Sequence, residues 1–115
     1  MTGVAAPYAN NAHAALRQLM HNAFRDGPAA FGSITDVRDT LKSFDQSIQA
    51  MQMVLRYVEE RVKTDFEEGH AHQDLSAAAV EQFGIQREKA VQGMTSAIAA
   101  LAWMGSTLTF FPSPE

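Results

Sequence analysis

The sequence predicts an all-α fold: a short N-terminal helix packed on a long antiparallel helical hairpin, a three-helix bundle completed by oligomerisation. Apolar residues recur at steps of three and four over most of the chain, the period of a helix face. Strong breakers, Asp26-Gly27-Pro28 and the turn around Gly69, fall between the periodic stretches. No β-hairpin signal, internal repeat or low-complexity tract interrupts them. A chain of 115 residues fits one helical domain over 1–115, with helices at about 9–25, 34–68 and 75–108 and flexible ends at 1–8 and 109–115.

The first helix is carried by Ala12, Leu16, Leu19 and Ala23, with Met20 and Phe24 widening the stripe. It stops at Asp26-Gly27-Pro28. Phe31, in the small linker that follows, is expected to tuck back into the core.

The second helix opens at Ser33-Ile34-Thr35-Asp36, a hydroxyl followed three residues later by an acid. Ile34, Val37, Leu41, Phe44, Ile48, Met51, Leu55, Val58 and Val62 then alternate steps of three and four, a coiled-coil seam. Asp65 breaks the pattern and Gly69 is the natural stop.

The third helix is expected to start with Asp74 as its cap. Its seam reads Val80, Phe83, Ala90, Met94, Ala97, Leu101, Met104 and Leu108, with Arg87 in one core slot, and Pro112 and Pro114 lie beyond its end. The connection from Glu68 to Gln73 is short, so the second and third helices should run antiparallel.

Composition excludes several functions. Hydrophobic residues at 46% and charged residues at 19% describe a globular chain, not a disordered one. Without cysteine there is no disulfide scaffold, iron–sulfur site, Cys-ligated zinc finger or thiol nucleophile. A net charge of −4 argues against a nucleic-acid partner. Residues 1–11 carry no charged side chain and no long apolar run, so no signal peptide is read and a cytoplasmic location is expected. Export by a signal-independent route would leave the same sequence.

The main anomaly is the 25-residue stretch from Ala90 to Pro114, which holds no Asp, Glu, Lys or Arg. It is long enough for a membrane span, but its hydroxyls and alanines and the missing basic flank speak against one. A buried helix in a monomeric bundle would still show water one face, and such faces ordinarily carry charge. The remaining reading covers this face with a second copy or another protein. The expected interface is Val91, Thr95, Ile98, Ala102, Trp103 and Gly105, with Gly93, Ala97 and Ala100 allowing close approach.

Candidate chemistry is sparse. The turn Glu67-Glu68-Gly69-His70-Ala71-His72-Gln73-Asp74 gathers two imidazoles and three carboxylates, which makes His70 and His72 candidate ligands for Zn²⁺ or Ni²⁺. A hydrophilic turn between two long helices explains the same residues, and no resident metal or other cofactor is expected. His13, Arg17 and His21 align four apart on the first helix, and Arg25 extends the line. That strip could take an anion or respond to pH, yet it also reads as the solvated side of an amphipathic helix. Glu59-Glu60 and Glu67-Glu68 point apart on a helix and do not converge as an acid/base couple. Glu59/Lys63 and Arg56/Glu60 fit helical ion pairs. No phosphate loop or nucleophile elbow is present, so no catalytic residue and no small-molecule substrate are assigned.

The size, acidity, lack of cysteine and long hairpin resemble the small WXG100 proteins exported by type VII secretion systems. The similarity covers residues 33–108. The family places Trp-x-Gly in the turn between its helices. Here the only such triplet, Trp103-Met104-Gly105, lies at the other end of the hairpin. The tail after Leu108 also lacks the family's Tyr-x-x-x-Asp/Glu export signal. No site residue is transferred. The resemblance implies only a mode of action, pairing with a partner rather than catalysis. The sequence therefore predicts a non-enzymatic interaction or assembly protein, acting as a homo-oligomer or as a subunit of a larger particle.

Overall fold

A computed structural model describes residues 3–69 and 75–110. They form three helices, α1 (Ala5–Asp26), α2 (Ile34–Glu67) and α3 (Ala77–Phe110), and one turn of 3-10 helix at Gly27–Ala30. There is no strand among the described residues. The chain divides into two units, residues 1–37 and 38–115. In the second, α2 and α3 pack as a hairpin.

In the first unit α1 begins at Ala5, not near residue 9, so residues 5–8 are helical where a flexible end was expected. Pro7 lies in the first turn, where a missing N–H forfeits no intrahelical bond. The helix ends where the sequence places the break. Gly27 takes φ +59° and donates its N–H to the Ala23 carbonyl, and Pro28 opens the 3-10 turn. Leu19 and Ala23 are half-buried, while Leu16, Met20 and Phe24 on the same stripe are exposed. Phe31 is likewise only half-buried; it does not reach a closed core.

The start of α2 matches its sequence signature. Ser33 Oγ accepts from the Asp36 N–H at 3.2 Å, and the Asp36 carboxylate reaches back to the Gly32 N–H at 2.9 Å. One of the four donors that a helix start leaves open, the Asp36 N–H, is thereby satisfied, and the chain entering the helix is tied down at Gly32. Ser33→Ala should cost about 1 kcal/mol of stability in urea denaturation. An unchanged midpoint would remove the cap from the account. At the far end Gly69 takes φ +70°, a left-handed conformation that stops the helix without strain.

Asp74, expected as the cap of α3, lies outside the described residues, and α3 begins at Ala77 behind Ser76. Ser76 caps it: its Oγ accepts from the Ala79 N–H at 3.1 Å, and its carbonyl accepts the Val80 N–H. The helix runs to Phe110, two residues past the expected end at 108. Thr107 and Thr109 donate their hydroxyls to the carbonyls of Trp103 and Gly105, at 2.9 and 3.1 Å. These threonine hydroxyls are therefore satisfied within their own helix. No helix among the described residues is long and apolar enough to cross a membrane.

Candidate functional site

The hairpin seam is fixed by three polar bridges between α2 and α3. Arg38 Nη2 donates to the Leu108 carbonyl at 2.6 Å. Gln52 Nε2 donates to the Val91 carbonyl at 3.1 Å and to Thr95 Oγ1 at 2.9 Å. The Arg87 guanidinium is paired with the Glu59 carboxylate, which also holds Lys63 Nζ at 3.0 Å. The pairs descend α2 as they climb α3, so the helices run antiparallel and in one register.

These bridges correct the predicted seam by one residue at every second position. With Gln52 taken as heptad position a, the residues of α2 that face α3 are Arg38, Asp45, Gln52 and Glu59, alternating with Leu41, Ile48, Leu55 and Val62. Val37, Phe44, Met51 and Val58, expected at the centre, flank it instead. On α3 the seam is Val80, Gly84, Arg87, Val91, Met94, Ile98, Leu101, Gly105 and Leu108. Phe83, Ala90, Ala97 and Met104 flank it there. The physical reason is polar satisfaction. Centring α2 on its apolar residues would leave Glu59, Gln52 and Arg38 without the partners they find on α3.

Glu59 is more enclosed than either of its cations. Its side chain keeps 13% of its exposure, and that of Arg87 keeps 27%. The Arg87 guanidinium, and after it the Lys63 ammonium, hold the Glu59 carboxyl below its ordinary value. A β-carbon at Gly84 would stand 3.5 Å from Glu59 Oε2, an ordinary contact, so alanine would fit beside the carboxylate. Of the two helical ion pairs expected, Arg56 and Glu60 lie on the exposed side at 3.7 Å. Glu59 and Lys63 also pair, but Glu59 belongs to the seam and not to a solvated face.

In antiparallel coiled coils the two g rows share one side of the seam and the two e rows share the other. One side of this hairpin therefore carries Phe44, Met51 and Val58 beside Phe83, Ala90, Ala97 and Met104. The other carries Lys42, Gln49, Arg56 and Lys63 beside Glu88, Thr95, Ala102 and Thr109. The first side is apolar from Phe44 to Val58 on α2, where Asp65 ends the row, and from Phe83 to Met104 on α3: Phe44, Phe83 and Ala97 are half-buried, and Met51 and Met104 keep 45% and 52% of their exposure.

The six residues read from sequence as an interface do not share one surface. Val91, Ile98 and Gly105 are half-buried seam positions, and Thr95 is bonded to Gln52. Ala102, in the row beside the seam with Thr95, and Trp103, on the side of α3 turned from α2, are exposed, Trp103 at 73%. His70 and His72 lie outside the described residues. Among the described residues no group of three or more His, Cys, Asp or Glu could hold a metal ion. His13, Arg17 and His21 are exposed along α1, while Arg25 is engaged by Asp26 through two hydrogen bonds of 3.0 Å. Comparison with family models, with curated proteins and with solved structures gives no match for this chain.

Proposed function

We propose that this protein is a non-enzymatic interaction or assembly protein that acts by helix–helix packing, as a homo-oligomer or as a subunit of a larger particle. One observation carries the reading. None of the described residues is buried, although the chain is 46% hydrophobic and both units expose large apolar side chains, Phe24 at 91% among them. A stable domain of this size buries roughly two-thirds of the surface its unfolded chain exposes and has a core of fully buried apolar side chains. Here the hairpin is bridged at Arg38, Gln52 and Glu59, with the Arg38 Nε left without a partner, and an apolar side remains beside the seam. Apolar surface on this scale marks an interaction site.

The test is absolute mass by light scattering after size exclusion, over a tenfold range of concentration and without detergent. It is paired with thermal melts and with binding of an apolar-surface dye. Association should raise the thermal midpoint by about 3 °C for each tenfold in concentration, for a dimer of this chain length. A monomer with a concentration-independent midpoint and no dye binding would overturn the reading, because it would have closed its core unaided.

A further inference from the structure

We infer that the occupant of the open apolar side of the hairpin is a second copy of this chain, seated so that α2 of each copy lies antiparallel on α3 of the other. This rests on the helix-packing reading above and names its surface and partner. The two strips on that side differ in size. On α2 it is a ridge of Phe44, Met51 and Val58; on α3 the middle is a shelf of Ala90 and Ala97 between Phe83 and Met104. A two-fold axis parallel to the helices lays the ridge of one copy over the shelf of the other. The seam register places Gln52 opposite Val91 and Thr95, so Met51 of the second copy then sits at the height between Ala90 and Ala97. A two-fold contact uses the same patch on both copies, and this patch contains both the knob and its hole.

Charge points the same way. Between Phe44 and Val58 on α2 and between Phe83 and Met104 on α3 the strips hold no charged residue, and Asp65, next after Val58 in the α2 row, is paired with Arg61 of its own helix, so the middles of two identical sides meet without like charges opposed. The lysines and arginines of Lys42, Arg56 and Lys63 are on the opposite side of the seam. The size is sufficient. The strip on α3 runs about 30 Å and that on α2 about 20 Å, each on a helix about 10 Å across, so two copies would remove about 1,000 Å² from water, the least that a specific contact needs. A dimer of that area should dissociate on dilution, so concentration is the variable to move.

The experiment compares the wild type with Met51→Glu, Ala97→Arg and Trp103→Asp by light scattering over a hundredfold concentration range, with circular dichroism on each. Wild type and Trp103→Asp should weigh two chains at high concentration. Met51→Glu and Ala97→Arg should each weigh one, a loss of at least tenfold in association, with helicity kept. An equal mixture of Met51→Glu and Ala97→Arg should recover the two-chain mass, because the new charges meet only across copies. If the wild type is dimeric and only Trp103→Asp dissociates it, the surface named here is wrong and the packing reading stands. If the single variants dissociate but their mixture stays monomeric, the α2-on-α3 arrangement is overturned. A wild-type monomer that binds the apolar-surface dye overturns the second copy as occupant and leaves the wider reading in place. A monomer without dye binding overturns both.

Discussion

Arg87→Met should destabilise the hairpin by about 2 kcal/mol at neutral pH, because it leaves the Glu59 carboxylate in the seam with Lys63 as its one remaining cation. The figure lies below the range for a fully buried pair, since both side chains keep some exposure and are partly screened. Its pH dependence has a definite sign. The folded state holds Glu59 below the ordinary carboxyl value of 4.5, so the unfolded chain takes up the proton first as pH falls. The stabilisation is complete above that value and is lost as pH falls through the lowered folded value. Wild type and variant should therefore separate most at neutral pH and converge as pH falls below 4.5 through the lowered folded value. Pairing the variant with Glu59→Leu completes the test. The double variant should lose less than the two single losses added, with a coupling of about 1–2 kcal/mol in urea titrations. Strict additivity would mean that the pair contributes nothing beyond its separate side chains.

The same pair shows where the sequence was legible. Helix existence and order follow from the three-four spacing and the breakers at Gly27 and Gly69, and α2 begins at Ser33 as its hydroxyl–acid spacing requires. Periodicity locates a stripe to within about one residue, or 100° of helix, and cannot say which edge of a broad stripe faces the neighbour. Here the stripe on α2 is two residues wide throughout: Phe44 beside Asp45, Met51 beside Gln52, Val58 beside Glu59. Hydrophobicity alone centres it on the apolar members. Arg87 standing in a core slot was the signal pointing the other way, because an arginine in a seam needs an anion across from it. Searching α2 for an acid at that height returns Glu59 and shifts the whole seam.

That one-residue shift governs the reading of the surface. With the seam centred on Phe44, Met51 and Val58, the hairpin would have covered its own ridge, and the leftover apolar surface would lie on the back of α3 around Trp103. With the polar residues inward, the ridge stands beside the seam and joins the alanine shelf of α3 on the same side. The uncharged stretch from Ala90 onward then has two causes. Val91, Met94, Ile98 and Leu101 face α2, and Ala90, Ala97 and Met104 complete the open side. Polar residues at a repeated seam position also restrict register, since a slip of one heptad would separate Glu59 from Arg87 and Gln52 from Thr95. A fixed register keeps Met51 level with the gap between the two alanines.

Gly27→Ala should cost the first unit about 2 kcal/mol, the other large effect expected of a single substitution. Gly27 combines φ +59° with ψ −137°, a region that side chains of L-residues rarely enter. Nothing lies within 4 Å of the position its β-carbon would take, so the penalty comes from the backbone and not from a clash. A larger residue should therefore cost little more than alanine unless it is β-branched, and D-alanine introduced by chemical ligation should cost nothing. The conformation cannot easily relax, because the Gly27 N–H closes α1 on the Ala23 carbonyl while Pro28 fixes the start of the next turn. Hydrogen exchange is the suitable measurement. Amides across residues 5–30 should lose roughly tenfold or more in protection, and Gly3→Ala, with open space and no positive φ, should leave them unchanged. Equal protection in Gly27→Ala and wild type would show that the reversal after α1 does not depend on the left-handed residue. The apolar strip of Leu16, Met20 and Phe24 would then end in a break set by Pro28 alone.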